Sequence, residues 1–480
     1  MINKILFAYS LMLVASTSLF AAEEDWFEVL KARGDTEALY RVLHAMPKGG
    51  DLHNHLSGAV YSEWWYEIAL AQEARGYEYF TKIKIENCRK YGENAFSVAP
   101  YLLLFRNIVA SEYETLNACE KGEYKALRDL DDREKSAWLN SVRLDKPFEG
   151  RDEFFQTHWQ RLNVLVRNPW IQAEIMYKNM QAFGEEGLSY VEFQVSVGGY
   201  QLPDGSLLTS DFVADVLRER LKQKDAIATG VTVRFQISIL RFVPFAEQSL
   251  RAAYKFVHDN PDLWVAVNMV GREDNDKGYP GRFLPTLREL RRQYSGVKLS
   301  IHAGEVDEPN THIRDTLLLG ADRIGHGLNL ITDNELMRQM RHGPYMVEIN
   351  LISNLLLNYV SDYSEHPFPE FLRTGIPVAL STDDRGMWDS TLTDEFFVAV
   401  TEYDLSWDEV KLLSRNSLSY AFIDEPQKLA LVNRYNKAIQ NFEKRMAKAV
   451  QKSKKIGEIK ALRAMPATRG FVCKQYKLCF

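Results

Sequence analysis

Two histidines separated by one residue, His53 and His55, form the first pair in the sequence whose spacing suits a metal ion. They lie in a short run, Asp51–Leu56, that predicts a β-strand, and alternate residues of a strand point to the same face. Two imidazoles on one face can bind Zn²⁺, which accepts nitrogen ligands at about 2.0–2.1 Å. Because a His-x-His pair alone is a weak signal, the interpretation depends on which other side chains the fold brings to it.

Further polar side chains follow other apolar runs. His302 and Glu305 come at the end of one run, His326 lies towards the end of another, and the adjacent acids Asp383 and Asp384 follow a third. Four of the ten histidines therefore fall at predicted strand ends, which favours metal binding. We predict one Zn²⁺ per chain, and the predicted ligands are His53, His55, His302 and Asp383.

The three remaining side chains suit hydrolysis. Glu305, three residues beyond His302, can face a substrate, and His326 is free to orient or deprotonate metal-bound water. Asp384 can hold substrate or water, although an Asp-Asp pair also serves as a helix N-cap. The set describes metal-assisted attack of water on an electrophilic carbon, with Zn²⁺ lowering the pKa of water towards about 7.

Eight short runs rich in Val, Ile and Leu recur along the chain, separated mostly by stretches with helical spacing. Such alternation indicates an α/β protein with a parallel sheet, and eight units indicate a closed (β/α)₈ barrel, or TIM barrel. Its active site is expected at the carboxyl ends of the strands. The predicted strands are Asp51–Leu56, Tyr190–Val197, Val231–Leu240, Trp264–Val270, Lys298–His302, Arg323–Leu328, Tyr345–Ile352 and Pro377–Ser381.

The first two predicted strands are too far apart for one crossover helix. We predict a helical insertion over about 76–150, with Tyr101–Phe105 in a helical pattern, on the active face of a barrel domain spanning 23–430. Residues 431–480 predict a basic helical tail, since 13 basic and two acidic residues lie between Arg434 and Lys477. We interpret this tail as a solvated helix face rather than a site for a polyanion.

The N-terminal residues 1–22 predict a secretory signal peptide: Lys4 precedes the apolar run Ile5–Leu13, small residues follow, and acidic residues begin at Glu23. A buried N-terminal helix is the alternative. We expect an exported protein, periplasmic or secreted, without a stable membrane span. Its cysteines could pair locally in an oxidising compartment or remain free thiols; they are Cys88, Cys119, Cys473 and Cys479.

The composition of the 480 residues is that of a globular protein, with 46% apolar and 26% charged residues. It excludes a disordered, collagen-like or multi-span membrane protein. The net charge is −6, and no basic excess covers the whole chain, so nucleic acid is not an expected partner. Oligomeric state, monomer or homodimer, is left open.

Five short motifs resemble the adenosine deaminase family of zinc (β/α)₈ barrels, from Met46 to about Phe422. They are Met-Pro-Lys with His-x-His, the turn at Gly271, His-Ala-Gly-Glu, Ile-Gly-His-Gly and Ser-Thr-Asp-Asp. Segments at 270–274, 352–354 and 360–367 are similar to the secreted, growth-factor-like branch of that family. The expected ligand is therefore a small purine nucleoside.

The resemblance implies hydrolysis of a purine 6-amino group, giving inosine or 2′-deoxyinosine and ammonia from adenosine or 2′-deoxyadenosine. It implies the same four zinc ligands, with Glu305 donating a proton to ring N1 and His326 positioning the hydroxide. Asp384 would hydrogen-bond the attacking water and ring N7, and the backbone N–H of Gly271 would meet ring N3, where the absence of a Cβ permits close approach.

Ser57 departs from the family, whose members usually carry at this position an aspartate that binds the ribose 5′-hydroxyl. A serine hydroxyl makes only a neutral hydrogen bond there. Another 6-aminopurine (adenine, AMP or an N6-modified nucleoside) is therefore an alternative substrate. A two-metal amidohydrolase is a rival enzyme class, but its bridging lysine or carboxylate is lacking in Val267–Gly271. The rival without catalysis is an exported nucleoside-binding protein.

Overall fold

Eight parallel strands form the centre of the molecule. The computed structural model describes residues 25–88, 102–275, 277–306, 310–451, 465 and 467–480, so the predicted signal peptide lies outside the described residues. The strands, in chain order, are β1 Gly50–His55, β2 Tyr79–Lys82, β3 Asn107–Val109, β4 Tyr124–Ala126, β5 Tyr190–Val195, β6 Thr232–Leu240, β7 Trp264–Val270, β8 Lys298–Ala303, β9 Arg323–His326, β10 Met346–Ile349 and β11 Val378–Leu380.

The large sheet has the order β1-β5-β6-β7-β8-β9-β10-β11, and every pair in it is parallel. It closes where Asn54 forms a parallel bridge with Asp383. There the N–H of Asp383 donates to the carbonyl of His53 at 2.9 Å, and the N–H of His55 donates to the carbonyl of Asp383 at 3.2 Å. The predicted (β/α)₈ barrel is confirmed, and each predicted strand overlaps an observed one.

The barrel strands are buried on both faces because helices surround the barrel. In β5, for example, all six residues are buried. The α-helices are Trp26–Ala32, Thr36–Ala45, Ser62–Ala71, Ala110–Glu114, Ala118–Gly122, Asp132–Ser141, Arg151–Glu153, Trp159–Leu162, Pro169–Glu185, Ser210–Leu221, Lys224–Ala228, Ala246–Asp259, Leu284–Gln293, His312–Leu318, Asn334–His342, Leu351–Leu356, Phe368–Thr374, Arg385–Trp388, Leu392–Tyr403, Trp407–Ser419, Glu425–Gln451 and Gly470–Tyr476. One π-helix spans Phe154–His158. Short 3₁₀ helices span Gln72–Arg75, Leu127–Asp129, Leu165–Arg167, Pro280–Phe283, Leu328–Thr332 and Tyr363–Glu365. Among the described residues, no helix combines the length and apolarity needed to cross a bilayer.

The insertion after β1 is not purely helical. Its centre is an antiparallel sheet in which β2 lies between β3 and β4. The helix expected around 101–105 is wrong for its described part, since Leu102–Phe105 form a turn and Phe105 has a φ of 60°. A disulfide joins Cys88 to Cys119.

The predicted boundary at 430–431 falls within one continuous helix, Glu425–Gln451. Its buried side chains recur every three or four residues and pack on the domain, with Phe442 against Trp407 at 6.0 Å between ring centroids. The carboxylate of Glu443 accepts hydrogen bonds from Trp407 and Lys411, both at 2.8 Å. The first half of the predicted tail therefore contributes to the core.

The end of the chain crosses the active face as a segment that we call the C-terminal strap, residues 467–480. Arg469 donates to Asp389 at 2.7 Å and to Glu63 at 2.8 Å, and its guanidinium lies 3.6 Å from the ring centroid of Tyr61. Cys473 and Cys479 form a disulfide within the strap. The strap thus links the start of the helix Ser62–Ala71 to the loop that follows β11.

Candidate active site

The four predicted ligands meet inside the barrel at the carboxyl ends of the strands, with their ligand atoms within 4.8 Å of one another. Nε2 of His55 lies 3.2 Å from Nε2 of His302 and 3.3 Å from Oδ1 of Asp383. Nε2 of His53 lies 3.5 Å from the same Oδ1 and, among the described residues, has no hydrogen-bond partner. Three imidazoles and one carboxylate that converge in this way are a ligand set that fits Zn²⁺. A metal ion would also give the buried Nε2 of His53 the partner that it lacks.

The orientation of two imidazoles is fixed from behind. His53 donates from Nδ1 to the carboxylate of Glu348 at 2.7 Å, which leaves Nε2 towards the cluster. His302 donates from Nδ1 to Oδ1 of Asn268 at 3.1 Å. Asn268 accepts there because its own nitrogen donates to Gln236 at 2.8 Å. Both histidines therefore present a lone pair on Nε2, as metal ligands do.

Charge at the cluster favours a cation. Burial opposes a charge on His53, but the carboxylates of Asp383 and Glu348 outweigh burial and raise its pKa to about 10. Burial lowers the pKa of His55 to about 4 and that of His302 well below its usual range, so both are neutral, as ligands must be. The carboxylates would stabilise a metal ion in place of the proton on His53.

A buried layer of charge supports the cluster from the barrel interior. Arg323 donates to Glu348 and to Glu192, each at 2.6 Å, and all three side chains are buried. Burial disfavours the carboxylate of Glu348, but Arg323 and His53 lower its pKa below the usual value. Glu348 is thus held ionised behind His53.

Two site residues adopt left-handed backbone conformations: φ is 65° at His326 and 53° at Asp383. Such values are uncommon for residues with a side chain and carry strain. Hydrogen bonds hold Asp383 in place, among them one from the hydroxyl of Ser353 at 2.6 Å. This backbone conformation directs both side chains into the site at the carboxyl ends of the strands.

Glu305 and His326 lie beside the metal cluster and share Asp383 as a neighbour. Oε1 of Glu305 is 3.6 Å from Nε2 of His326. Burial, followed by the charge of Asp383, raises the pKa of Glu305 well above its usual range. Glu273 accepts the backbone N–H groups of Gly304 and Glu305, at 3.1 and 2.9 Å, and so fixes the turn that presents the acid.

Asp384 is buried against the loop after β1. A Cβ on Gly58 would lie 1.4 Å from Oδ1 of Asp384, so only glycine leaves room for that carboxylate. Among the residues described, Oδ1 of Asp384 has no hydrogen-bond partner. Burial and the neighbouring charge of Asp383 raise the pKa of Asp384 well above the usual value.

Gly271 and Ser57, which with Asp384 are the predicted substrate contacts, lie on different loops. Gly271 directly follows β7 with a φ of 98°, and Arg241 holds its carbonyl at 2.6 and 2.9 Å. Ser57 follows β1, and its hydroxyl accepts a hydrogen bond from Gln172 at 3.2 Å. Oε1 of Gln172 is buried and lacks a partner among the described residues, so the Ser57 end of the site holds an unused acceptor. The substrate roles of both residues stay predictions.

Sequence reasoning missed the residues that support or extend the site. Gln194 pairs with His55 in the sheet register, and both polar atoms of its buried amide lack partners in the described part of the chain. The alternation of β5 places Gln194 on the inner face with Glu192, which is the one signal that could have found it. The other missed residues are Glu348, Asn268, Glu273, Gln172 and Asn354.

This chain is similar in sequence to adenosine deaminases and in fold to an amidohydrolase. A sequence profile described as "Adenosine deaminase" matches residues 119–438. An adenosine deaminase of Aedes albopictus is 24% identical over 88% of this chain and 78% of its own, and one of Enterococcus faecalis is 34% identical over 55% and 75%. An amidohydrolase from Burkholderia ambifaria, solved with bound Zn, shares the fold with a TM-score of 0.61 at 18% identity, over 86% of this chain and 95% of its own.

Proposed function

The chain belongs to the adenosine deaminase family and is a hydrolytic deaminase, and from this premise we propose that its substrates are adenosine and 2′-deoxyadenosine. Water would replace the 6-amino group, giving inosine or 2′-deoxyinosine and ammonia. One observation carries the proposal: a cluster of three imidazoles and a carboxylate lies beside a buried carboxyl group and a further imidazole.

We propose His53, His55, His302 and Asp383 as the ligands of one Zn²⁺. Zinc bound there supplies Lewis acidity, which makes water a nucleophile at neutral pH. Side-chain exposure is 17% for His55 and 0% for His53, so His55 marks the open side of the cluster from which a substrate enters.

Glu305 supplies the acid. Burial and the charge of Asp383 raise the pKa of Glu305 and so favour its protonated form, which can give a proton to ring N1. Protonation of N1 withdraws electrons from C6, so that water adds there. One proton of the added water would pass by way of Asp384 to the 6-amino group, which leaves as ammonia when the C6–N bond breaks, and the other proton of the water would return to Glu305. The backbone N–H of Glu305 donates to the carboxylate of Glu273, and this hydrogen bond holds the acid in place.

His326 and Asp384 would act on the attacking water. Burial lowers the pKa of His326 well below its usual range, so it is neutral and offers one N–H. Asp384, with an oxygen that has no partner among the described residues, can accept a hydrogen bond from the same water or, while protonated, donate to ring N7. The N–H of Gly271 is proposed to meet ring N3.

A Glu305→Gln variant tests this function. Loss of the proton donor should lower kcat by about 10²-fold or more, while zinc content stays at one ion per chain. The assay follows the fall of absorbance when adenosine becomes inosine. The control variant is Glu335→Gln, at an exposed position on a helix. A Glu305→Gln enzyme within about threefold of wild type removes Glu305 from this role.

The substrate screen covers adenosine, 2′-deoxyadenosine, adenine, AMP and an N6-methyl nucleoside. Turnover of one of the last three alone would replace the proposed substrate without changing the chemistry. Two zinc ions per chain with a second intact site would favour a two-metal amidohydrolase instead. Binding without turnover of any 6-aminopurine would favour a nucleoside-binding protein.

We also propose export to the periplasm or the outside of the cell. Support comes from the signal-like residues 1–22 and from the pairing of all four cysteines as Cys88–Cys119 and Cys473–Cys479, since disulfides persist in oxidising compartments. Mass spectrometry of exported protein should give an N-terminus near Glu23, and an intact Met1 on cytoplasmic protein would contradict export.

A further inference from the structure

A chain of hydrogen bonds leads through His366 and Asn354 to Nδ1 of His326. Its donor and acceptor roles are fixed at the end farthest from His326. The backbone N–H of Phe368 lies 3.1 Å from Nδ1 of His366. A backbone N–H can only donate, so Nδ1 of His366 accepts and carries no proton. His366 is buried, and burial lowers its pKa to about 3, so its single proton is on Nε2.

That proton orients the next side chain. Nε2 of His366 lies 3.1 Å from Oδ1 of Asn354, which must accept. The amide nitrogen of Asn354 therefore points the other way, where it lies 3.0 Å from Nδ1 of His326. Because this nitrogen can only donate, Nδ1 of His326 is the acceptor.

We propose that His366 and Asn354 are positioning residues that fix the proton of His326 on Nε2, so that His326 acts as a hydrogen-bond donor and not as the base that deprotonates water. Nε2 is the atom that faces Glu305 at 3.6 Å, and it is without a hydrogen-bond partner in the described part of the chain. The catalytic meaning of this inference rests on the proposed function, whereas the position of the proton does not.

A second amide makes the inference falsifiable. Asn350 lies 3.3 Å from Nδ1 of His326, and it can turn so that its nitrogen donates to the carbonyls of Ile349 and Ser381, both at 3.3 Å. Its oxygen would then face Nδ1 and favour a proton there. Asn354, at 3.0 Å and oriented by His366, is the shorter contact and decides against that tautomer.

The test is ¹⁵N NMR of the zinc-loaded enzyme with labelled histidine, with the His326 signals assigned by their loss in His326→Gln. In the wild type we expect an unprotonated Nδ1 and a protonated Nε2. Asn354→Asp replaces the donor with an acceptor of the same shape, so Nδ1 should become protonated. We expect kcat of this variant to fall about tenfold or more, as for other residues that orient site histidines.

The matched control is Asn358→Asp, the same substitution at an exposed position beyond the same helix, and it should leave both the signals and kcat unchanged. A protonated Nδ1 in the wild type, or no change of His326 in Asn354→Asp, overturns the inference. The wild-type spectrum suffices if the variant does not fold. A protein that deaminates no 6-aminopurine but shows the expected tautomer refutes the proposed function and leaves this inference standing.

Discussion

At the scale of single residues, we expect Ser57 to determine how the sugar of the proposed nucleoside substrate is recognised. Its hydroxyl can offer a 5′-oxygen one neutral hydrogen bond, worth about 0.5–1.5 kcal/mol, whereas a carboxylate contact is about twice as strong. The nitrogen of Gln172 already donates to Ser57, so the hydroxyl proton stays available for a ligand.

We expect 5′-deoxyadenosine to be turned over within about tenfold of adenosine in kcat/KM, since about 1.4 kcal/mol corresponds to tenfold. Ser57→Asp should widen the preference for a free 5′-hydroxyl, Ser57→Ala should abolish it, and neither should change zinc content. A thousandfold preference of the wild type for adenosine over 5′-deoxyadenosine would mean that another group binds the 5′-oxygen. Gln172, whose side-chain oxygen has no partner among the described residues, would then be the first residue to substitute.

At the scale of elements, the C-terminal strap holds the loop that carries Asp384. Arg469 binds the side chain of Asp389, which ends the short helix Arg385–Trp388, and the backbone N–H of Phe471 donates to the carbonyl of Asp389 at 3.0 Å. Asp389 has a φ of 52°, so the loop depends on these contacts to keep a strained turn.

Arg469→Met should lower the free energy of unfolding by about 2 kcal/mol, because hydrogen bonds to charged groups contribute about 1.5–3 kcal/mol and Asp389 is buried. Lys474→Met is the control: Lys474 pairs with Asp145 but is 54% exposed, so its loss should cost at most about 1 kcal/mol. Urea unfolding measures the free energy of unfolding of both variants. Equal losses in the two variants would show that Arg469 does not hold the loop in place.

The same scale shows what the sequence could and could not predict. Most barrel strands are recognisable because Val, Ile and Leu recur in them, as in Thr232–Leu240 and Trp264–Val270, whereas the three-residue strand Val378–Leu380 is marked by the Ser-Thr-Asp-Asp motif that follows it. The insertion strands Asn107–Val109 and Tyr124–Ala126 have three residues each, too few to show an alternating pattern. Asn354 lies in the segment 352–354, whose only sequence signal is its resemblance to a branch of the family. Its contact with His326, like that of Glu348 with His53, joins residues far apart in the chain, and local sequence does not predict such contacts.

At the scale of the whole molecule, three of the proposed metal ligands lie where the barrel closes. His53 and His55 belong to the first strand and Asp383 follows the last, and these residues share the closing hydrogen bonds. A metal ion bound there would join the two ends of the sheet.

Removal of zinc should therefore lower Tm of the whole domain. At free zinc of about 100 times Kd, binding stabilises the fold by about 2.7 kcal/mol, and this contribution is lost with the metal. Calorimetry with and without a chelator measures it, and Asp383→Ala should show no such difference. An unchanged Tm in the wild type would mean that the barrel closes independently of the metal.

Closure also sets an order in time. Asn54 and Thr382, hydrogen-bonded at the seam, are 328 residues apart in the chain. A ribosome adding about 5–20 residues per second needs about 15–65 s to travel that distance. Throughout that interval His53 and His55 are on a nascent chain that lacks Asp383. We therefore expect zinc to bind only after the whole barrel has been translated. The ion would then stabilise the complete barrel and would not guide folding of the nascent chain.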